Sequence, residues 1–244
     1  MSTTNLRTSV GRWVAEHPQT ADLFEVLQID YCCGGDQSLE EACWKGGLES
    51  LHVHSQLQRL VAGIDDETLE DWLHASLSDL CDHIEHSHHA YLKAELSRLT
   101  DLIAKVMDRH RDSHPELADL QNYFISLRTE MLPHTAREDE VLFPAIRQLE
   151  RFGELDDDRI QTLGKPIRAL LFEHLDVGHG LRNIRQAAQD FAVPTDACSS
   201  YRDLLASLHR LEIDTHIHIH KENHVLFPRA IRLETKLAAR CEPQ

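Results

Sequence analysis

Two segments of the chain carry one pattern of potential metal ligands. His134-Thr135-Ala136-Arg137-Glu138-Asp139-Glu140-Val141-Leu142-Phe143-Pro144 and His218-Ile219-His220-Lys221-Glu222-Asn223-His224-Val225-Leu226-Phe227-Pro228 both read His-x3-Glu-x2-Val-Leu-Phe-Pro, with His134 and His218 84 residues apart. A His and a Glu four apart on a helix leave from one face, one turn from each other, so both reach a single metal centre. Mixed imidazole and carboxylate donors suit iron, manganese or zinc, and spacing alone does not choose among them.

The elements that position these pairs follow from apolar spacing. Leu117, Leu120, Phe124, Leu127 and Met131 recur at steps of three and four, and the next steps land on His134, Glu138 and Val141. Tyr201, Leu204, Leu208, Leu211 and Thr215 lead in the same way to His218, Glu222 and Val225. Both pairs therefore fall on buried helical seams. A desolvated, unpaired carboxylate costs at least several kcal/mol, so two glutamates on two seams require a compensating cation. Solvated surface residues that happen to be four apart would explain one copy, but not two copies in the same register.

Two further helices offer histidines to the same level. From Leu92 the seam runs through Leu96, Leu99, Ile103 and Val106 to His110, and backward to His89, whereas Leu77, Leu80 and Ile84 point to His88. Periodicity leaves His88 and His89 open. His110 shares the seam but lies 21 residues beyond His89, about 30 Å away at ~1.5 Å per residue, too far to serve one site with it. His83, His86 and one of the His88/His89 pair read as solvated. Ile167, Leu170, His174, Val177 or Gly178, Leu181, Ile184 and Ala188 place His174 in the core, with Gly178 and Gly180 leaving room for a small molecule one turn on.

Four long helices are expected: about Leu69 to His110, Glu116 to Arg151 with Pro133 and Pro144 bending rather than ending it, Pro166 to Phe191, and a last one starting at Val193-Pro194-Thr195-Asp196. Joined by short breaks, they make an antiparallel bundle with a metal site in its core. The motif order, His-x3-Glu, differs from the Glu-x-x-His of ferritin-like bundles, so the ferritin mechanism is not carried over. The fold class is all-α, with a small helical domain at residues 1–62 ahead of a bundle at 68–244. Val10 to Glu16, Ala21 to Leu27 and a third helix with a possible Ser38/Glu41 capping box, closed by Gly46-Gly47, form the small domain.

Between its second and third helices lies Asp30-Tyr31-Cys32-Cys33-Gly34-Gly35-Asp36. The two glycines favour a turn of open φ/ψ that leaves the thiols little covered, and adjacent cysteines form only a strained disulfide. The expectation is an exposed vicinal dithiol able to act outward. Packing of both as small hydrophobes is the bland alternative. Cys32, Cys33, Cys43, Cys81, Cys198 and Cys241 follow no disulfide-framework spacing and are expected to be thiols in a reducing compartment. A net charge of -16 argues against nucleic acid and anionic membranes as partners. No apolar stretch approaches ~18 residues and the N-terminus lacks a signal-peptide core, so a cytoplasmic location is expected.

The dithiol motif followed by two His-x3-Glu-x2-Val-Leu-Phe-Pro motifs in a bundle resembles the iron-sulfur cluster repair di-iron proteins, the Repair of Iron Centers family, over nearly the whole chain. The resemblance implies a hemerythrin-like bundle with a non-haem centre of two iron ions, oxo- or hydroxo-bridged. By position, His89 and His134 bind one iron, His174 and His218 the other, and Glu138 and Glu222 bridge them. It selects His89 over His88, leaves His110 outside the ligand set, and places Glu130 and Glu173 on the approach to the centre. The implied function is repair of iron-sulfur clusters damaged by nitric oxide or peroxide, through iron donated from a labile centre, with Cys32 and Cys33 as candidate reactive thiols. The implied partners are damaged iron-sulfur proteins or cluster scaffold proteins, with nitric oxide or dioxygen as small ligand and a homodimer as a compatible assembly. Two other functions use the same site: a hemerythrin-like carrier or sensor of dioxygen or nitric oxide, and a nitric oxide reductase. A carrier has no evident need of Cys32 and Cys33.

Overall fold

Serine caps start the N-terminal helices. The Ser9 hydroxyl accepts from the Arg12 N–H at the head of α1 (Val10–Glu16), and Ser38 with Glu41 forms a reciprocal capping box on α3 (Leu39–Lys45), each satisfying amides that a first helical turn leaves without partners. In this computed structural model, which describes residues 4–62, 71–155 and 160–241, α2 (Ala21–Val26) lies between them and α4 (Ser50–Ala62) follows. The remaining helices are α5 (Leu77–His83), α6 (Ala90–His110), α7 (Glu116–Arg137), α8 (Phe143–Phe152), α9 (Gly164–Ala187), α10 (Ser199–His220) and α11 (Phe227–Cys241). Every regular element among the described residues is helical, and the chain divides into two units: Met1–Cys81 with His216–Gln244, and Asp82–Thr215.

In the first unit Trp13, Phe24, Tyr31, Leu39 and Leu57 are buried, and histidines every fourth residue of the last helical run bond to the N-terminal segment. His216 Nδ1 lies 2.9 Å from a Glu25 carboxylate oxygen, His220 Nε2 donates to the Gly11 carbonyl at 2.8 Å, and His224 Nε2 donates to the Cys32 carbonyl at 2.8 Å. Burial and the neighbouring His224 push His220 down to about 3, so it is neutral at pH 7 and free to make this single N–H bond. The His224 ring fits only because two neighbours lack side chains. A Cβ on Gly35 would stand 2.2 Å from His224 Nε2 and 2.4 Å from the Tyr31 carbonyl, and one on Gly11 would stand 2.7 Å from the ring. The expected open φ at Gly34-Gly35 is not what the turn uses: the positive-φ glycines are Gly47 and Gly153, and Gly35 serves close approach instead.

In the second unit the four helical runs form a bundle on the seams the spacing predicts: Leu117, Leu120, Phe124, Leu127 and Met131 are buried, as are Leu92, Leu96, Leu99, Ile103 and Val106, and Tyr201, Leu204, Leu208 and Leu211. Arg98 ties α6 to Asp203 and Ser207 of α10, and Arg185 ties α9 to the buried Glu212. Pro133 lies inside α7 and Pro144 in the first turn of α8, and the helical path runs on from Glu116 to Phe152. Boundaries differ elsewhere. The helix expected from about Leu69 begins at Leu77; residues 71–76 make turns and 63–70 lie outside the described residues. The third long helix ends at Ala187 because Gln189, Asp190 and Phe191 take positive φ, and the last begins at Ser199 rather than at Val193 to Asp196.

Three π-helical turns interrupt these runs, at Ile84–His89, Glu138–Leu142 and Lys221–Leu226. A π turn inserts one residue and shifts the buried face by one position, and such turns cluster at functional sites. The first resolves a conflict in the periodicity: the seam reaching Ile84 steps by five to His89, so the apolar pattern before it counts to His88 and the pattern after it to His89. The second moves Leu142 and Phe143 into the core and leaves Val141, the expected seam residue, only half-buried.

Replacing Gly35 by Ala is expected to destabilise the protein by about 1–3 kcal/mol through overpacking against His224, lowering the melting temperature. Gly164→Ala, at a helix start where a Cβ meets nothing within 4 Å, is expected to be neutral or slightly stabilising. Equal melting temperatures for the two variants would remove the packing role assigned to Gly35.

Candidate metal centre

The candidate ligands in the second unit come from three helical runs and meet in the buried core. His89, His134, Glu138 and His174 are all essentially inaccessible to solvent. The Glu138 Oε2 lies 3.5 Å from His89 Nε2 and 3.3 Å from His134 Nε2, and His174 Nε2 lies 3.0 Å from His134 Nε2. Donor atoms of His134, Glu138 and His174 all lie within 4.8 Å of one another. Two imidazole nitrogens and a carboxylate oxygen turned toward one point are the donor set of a metal ion.

Neither oxygen of Glu138 has a hydrogen-bond donor among the described residues, although both are buried. An uncompensated buried carboxylate is among the costliest arrangements in a protein interior, and a bound cation removes that cost. The residues present therefore fit a metal.

Carboxylates behind the histidines set their tautomers. The Nδ1–H of His89 donates to Asp139 at 2.6 Å and that of His134 to Glu173 at 2.7 Å, which turns each Nε2 lone pair toward Glu138. Burial alone would raise the pKa of Asp139, but its bonds to His89 and Lys93 outweigh this and hold it below the usual carboxylate range. Glu173 behaves likewise: burial raises it, and His134 with Arg137 brings it down further. The Phe143 ring stacks on His89 with centroids 5.6 Å apart, fixing the imidazole plane. Asp139 was not singled out in the sequence. Its partner lies 50 residues away, so only its place next to Glu138 hinted at a role.

His88, one of the two open candidates, turns away: its Nδ1 meets Asp214 at 2.9 Å and it is buried, correcting the expectation that the residue left over would be solvated. His86 is exposed, as expected. In the first unit His218 Nε2 lies 3.0 Å from Glu222 Oε1 and both side chains are fully buried, so the second motif also brings its His and Glu together in the core.

A cavity of about 270 Å³ reaches His134, lined by Glu130, Pro133, Arg137, Glu173 and Asp176. Three carboxylates against one guanidinium give this mouth a cation-attracting field. Gly178 and Gly180, expected to open space, are not part of its lining; a Cβ on Gly180 would make ordinary contact with Leu127 at 3.7 Å.

The dithiol is less open than its sequence suggested. Cys32 is buried, 4% exposed, and only Cys33 is partly accessible, because Asn223 and His224 cover the loop through the Cys32 carbonyl. The sulfurs stand 3.8 Å apart without a disulfide, and Cys32 Sγ lies 3.4 Å from Asp30 Oδ1. The bond with Cys33, then burial and the Asp30 charge, hold Cys32 well above the usual thiol pKa, so it rests protonated. Cys43, Cys81 and Cys198 are thiols as well.

Exchanging Glu173 for Gln, or Asp139 for Asn, is expected to weaken metal binding about 10- to 100-fold while leaving the fold intact, because each removes the group orienting a ligand histidine. Metal content after dialysis against graded chelator measures this; parent-like retention in both variants would contradict the orienting role.

The model of the ScdA_N domain, described as a domain of unknown function (DUF542), matches residues 6–61, and that of the hemerythrin HHE cation-binding domain matches residues 82–230. The iron-sulfur cluster repair protein ScdA of Staphylococcus haemolyticus is 31% identical over 218 residues, 89% of this chain and 95% of that protein. The iron-sulfur cluster repair protein YtfE of an Enterobacter species is 32% identical over 222 residues, 91% of this chain and 96% of the relative, and the YtfE of Escherichia coli O157:H7 is 30% identical. A buried His/Glu cluster in a helical bundle, preceded by the paired-cysteine domain and matched over about nine-tenths of the chain by these relatives, identifies the chain as a member of the ScdA/YtfE iron-sulfur cluster repair family.

Proposed function

We propose that this protein repairs iron-sulfur clusters damaged by nitrosative or oxidative stress in the cytosol, by donating iron from a labile centre of two irons. Its family membership supports the repair role, since the relatives are named for it. In this reading His89 and His134 would hold one iron and His174 and His218 the other, with Glu138 and Glu222 as carboxylate ligands shared by the pair. Residues 1–62 carry the thiols and 68–244 the bundle. Bound iron supplies both the cargo and a site for nitric oxide or dioxygen.

The chain's own groups account for holding and releasing that cargo. Asp139 and Glu173 keep the imidazole lone pairs aimed inward, and each is itself paired with a base at the surface, Lys93 and Arg137. The mouth formed by Glu130, Glu173 and Asp176 favours passage of a cation over that of an anion.

One observation favours repair over a simple carrier. The Cys32 carbonyl accepts hydrogen bonds from Asn223 and His224, the two residues that follow Glu222 within one π-helical turn, so the dithiol loop is seated on the turn that carries a ligand. A carrier of dioxygen or nitric oxide gains nothing from such a seat. When iron is handed over, the accessible Cys33 meets it first. Iron in transit would be held by two soft thiolates on the way to a damaged cluster protein or a scaffold, the partly exposed Cys33 giving its proton to solvent and Cys32 giving its own to the adjacent Asp30 carboxylate.

The Cys32→Ser/Cys33→Ser double variant tests this reading. Iron content and the absorption spectrum of the centre are expected to stay at parent levels, while repair of a nitric-oxide-damaged iron-sulfur enzyme falls. Repair at the parent rate would remove the thiols from the mechanism, and parallel loss of iron would show that they serve the centre's assembly instead.

A further inference from the structure

A second cluster of potential ligands stands at the far end of α6, 21 residues from His89. His110 ends α6, His114 lies in the turn before α7, and Asp196 lies in the segment before α10. One donor atom from each falls within 4.8 Å of the others. His114 Nε2 is 3.1 Å and 3.3 Å from the two oxygens of Asp196, while its Nδ1 meets Glu116 at 2.9 Å. Tyr201 packs against both imidazoles with ring centroids 5.3 Å away in each case, fixing their planes.

His110 makes this more than a charged surface group. It is 94% buried by its 6% exposure, yet its Nε2 has no hydrogen-bond partner among the described residues. A buried imidazole nitrogen without a partner carries an uncompensated desolvation cost. His110 could have been placed elsewhere in the seam by an aliphatic residue at no such cost, and the bundle centre does not use it.

We propose that His110, His114 and Asp196 form a mononuclear site for a divalent first-row transition ion of the zinc or ferrous class, separate from the bundle centre. Two imidazoles and one carboxylate form the donor set of three-ligand zinc sites and of ferrous facial triads, which leave positions open to water. Glu116 has the part that a carboxylate behind a ligand histidine plays: it accepts the Nδ1–H of His114 and presents the Nε2 lone pair toward Asp196. The ion would replace the proton that His114 Nε2 otherwise needs in order to face Asp196. It would also cross-link the α6–α7 turn to the segment leading into α10, adding stability by mass action.

Zinc ion is the probe. The iron-loaded full-length protein is incubated with Zn²⁺, passed through a desalting column in a weakly competing buffer, and assayed for zinc and iron together. The expected result is about one zinc retained per chain with iron content unchanged and a raised melting temperature. His110→Gln should abolish the retention. Because that buried residue bears on folding, Asp196→Asn at an exposed side chain is the decisive variant, expected to weaken zinc binding about tenfold or more while iron content and the zinc-free melting temperature hold. Zinc retained equally by Asp196→Asn, zinc taken up only as iron is lost, or no zinc retained would each overturn the site and leave His114 as an imidazolium bridging Glu116 and Asp196.

Discussion

Burying Glu138 with no hydrogen-bond donor for either oxygen among the described residues is a cost the protein interior cannot leave uncompensated, and much of the bundle is arranged around it. Two imidazoles face one of its oxygens, and each is fixed from behind by an acid that is itself paired with a base at the surface. The carboxylate sits among hydrophobic seams, where a bound cation is an effective means of compensation. A bound cation removes that cost, so affinity for a metal and stability of the metal-free state trade against each other.

The last helical run carries two functions on two faces. His218 and Glu222 repeat the half-site of the first motif, while His216, His220 and His224, offset by two residues, bond to Glu25, Gly11 and the Cys32 carbonyl. A helix can do this because residues two apart point away from each other and residues four apart align. The paired glycine contacts around His224 show how closely the loop bearing the thiols is fitted to this helix. Burial of Cys32 follows from that fit, and it separates the two sulfurs into one that is covered and protonated and one that meets solvent.

Much of this was legible in the sequence, for a physical reason: ligands on a buried seam inherit the helical period of the apolar residues beside them, so Leu117 to Met131 pointed to His134 and Glu138. Periodicity failed where the backbone departs from it. The π turn at Ile84–His89 adds one residue, which is why neither His88 nor His89 followed from counting. Val141 fell out of the core through the same device. The cover over Cys32 comes from residues about 190 positions away, which no local pattern records. The His216/His220/His224 stripe was present in the sequence at four-residue spacing, but its partners Glu25, Gly11 and Cys32 lie about 200 positions away, beyond the reach of a local pattern.

The central claim is that Glu138 is buried for a metal and not for the fold. Melting temperature and iron content of Glu138→Gln beside the parent, each measured iron-free and iron-loaded, test it most directly. Iron is expected to raise the parent's melting temperature, the iron-free variant to melt at or above the iron-free parent because a neutral amide is cheaper to bury, and the variant to bind iron poorly and gain little from it. An iron-free variant that melts well below the iron-free parent, or a variant that retains parent iron, would contradict it.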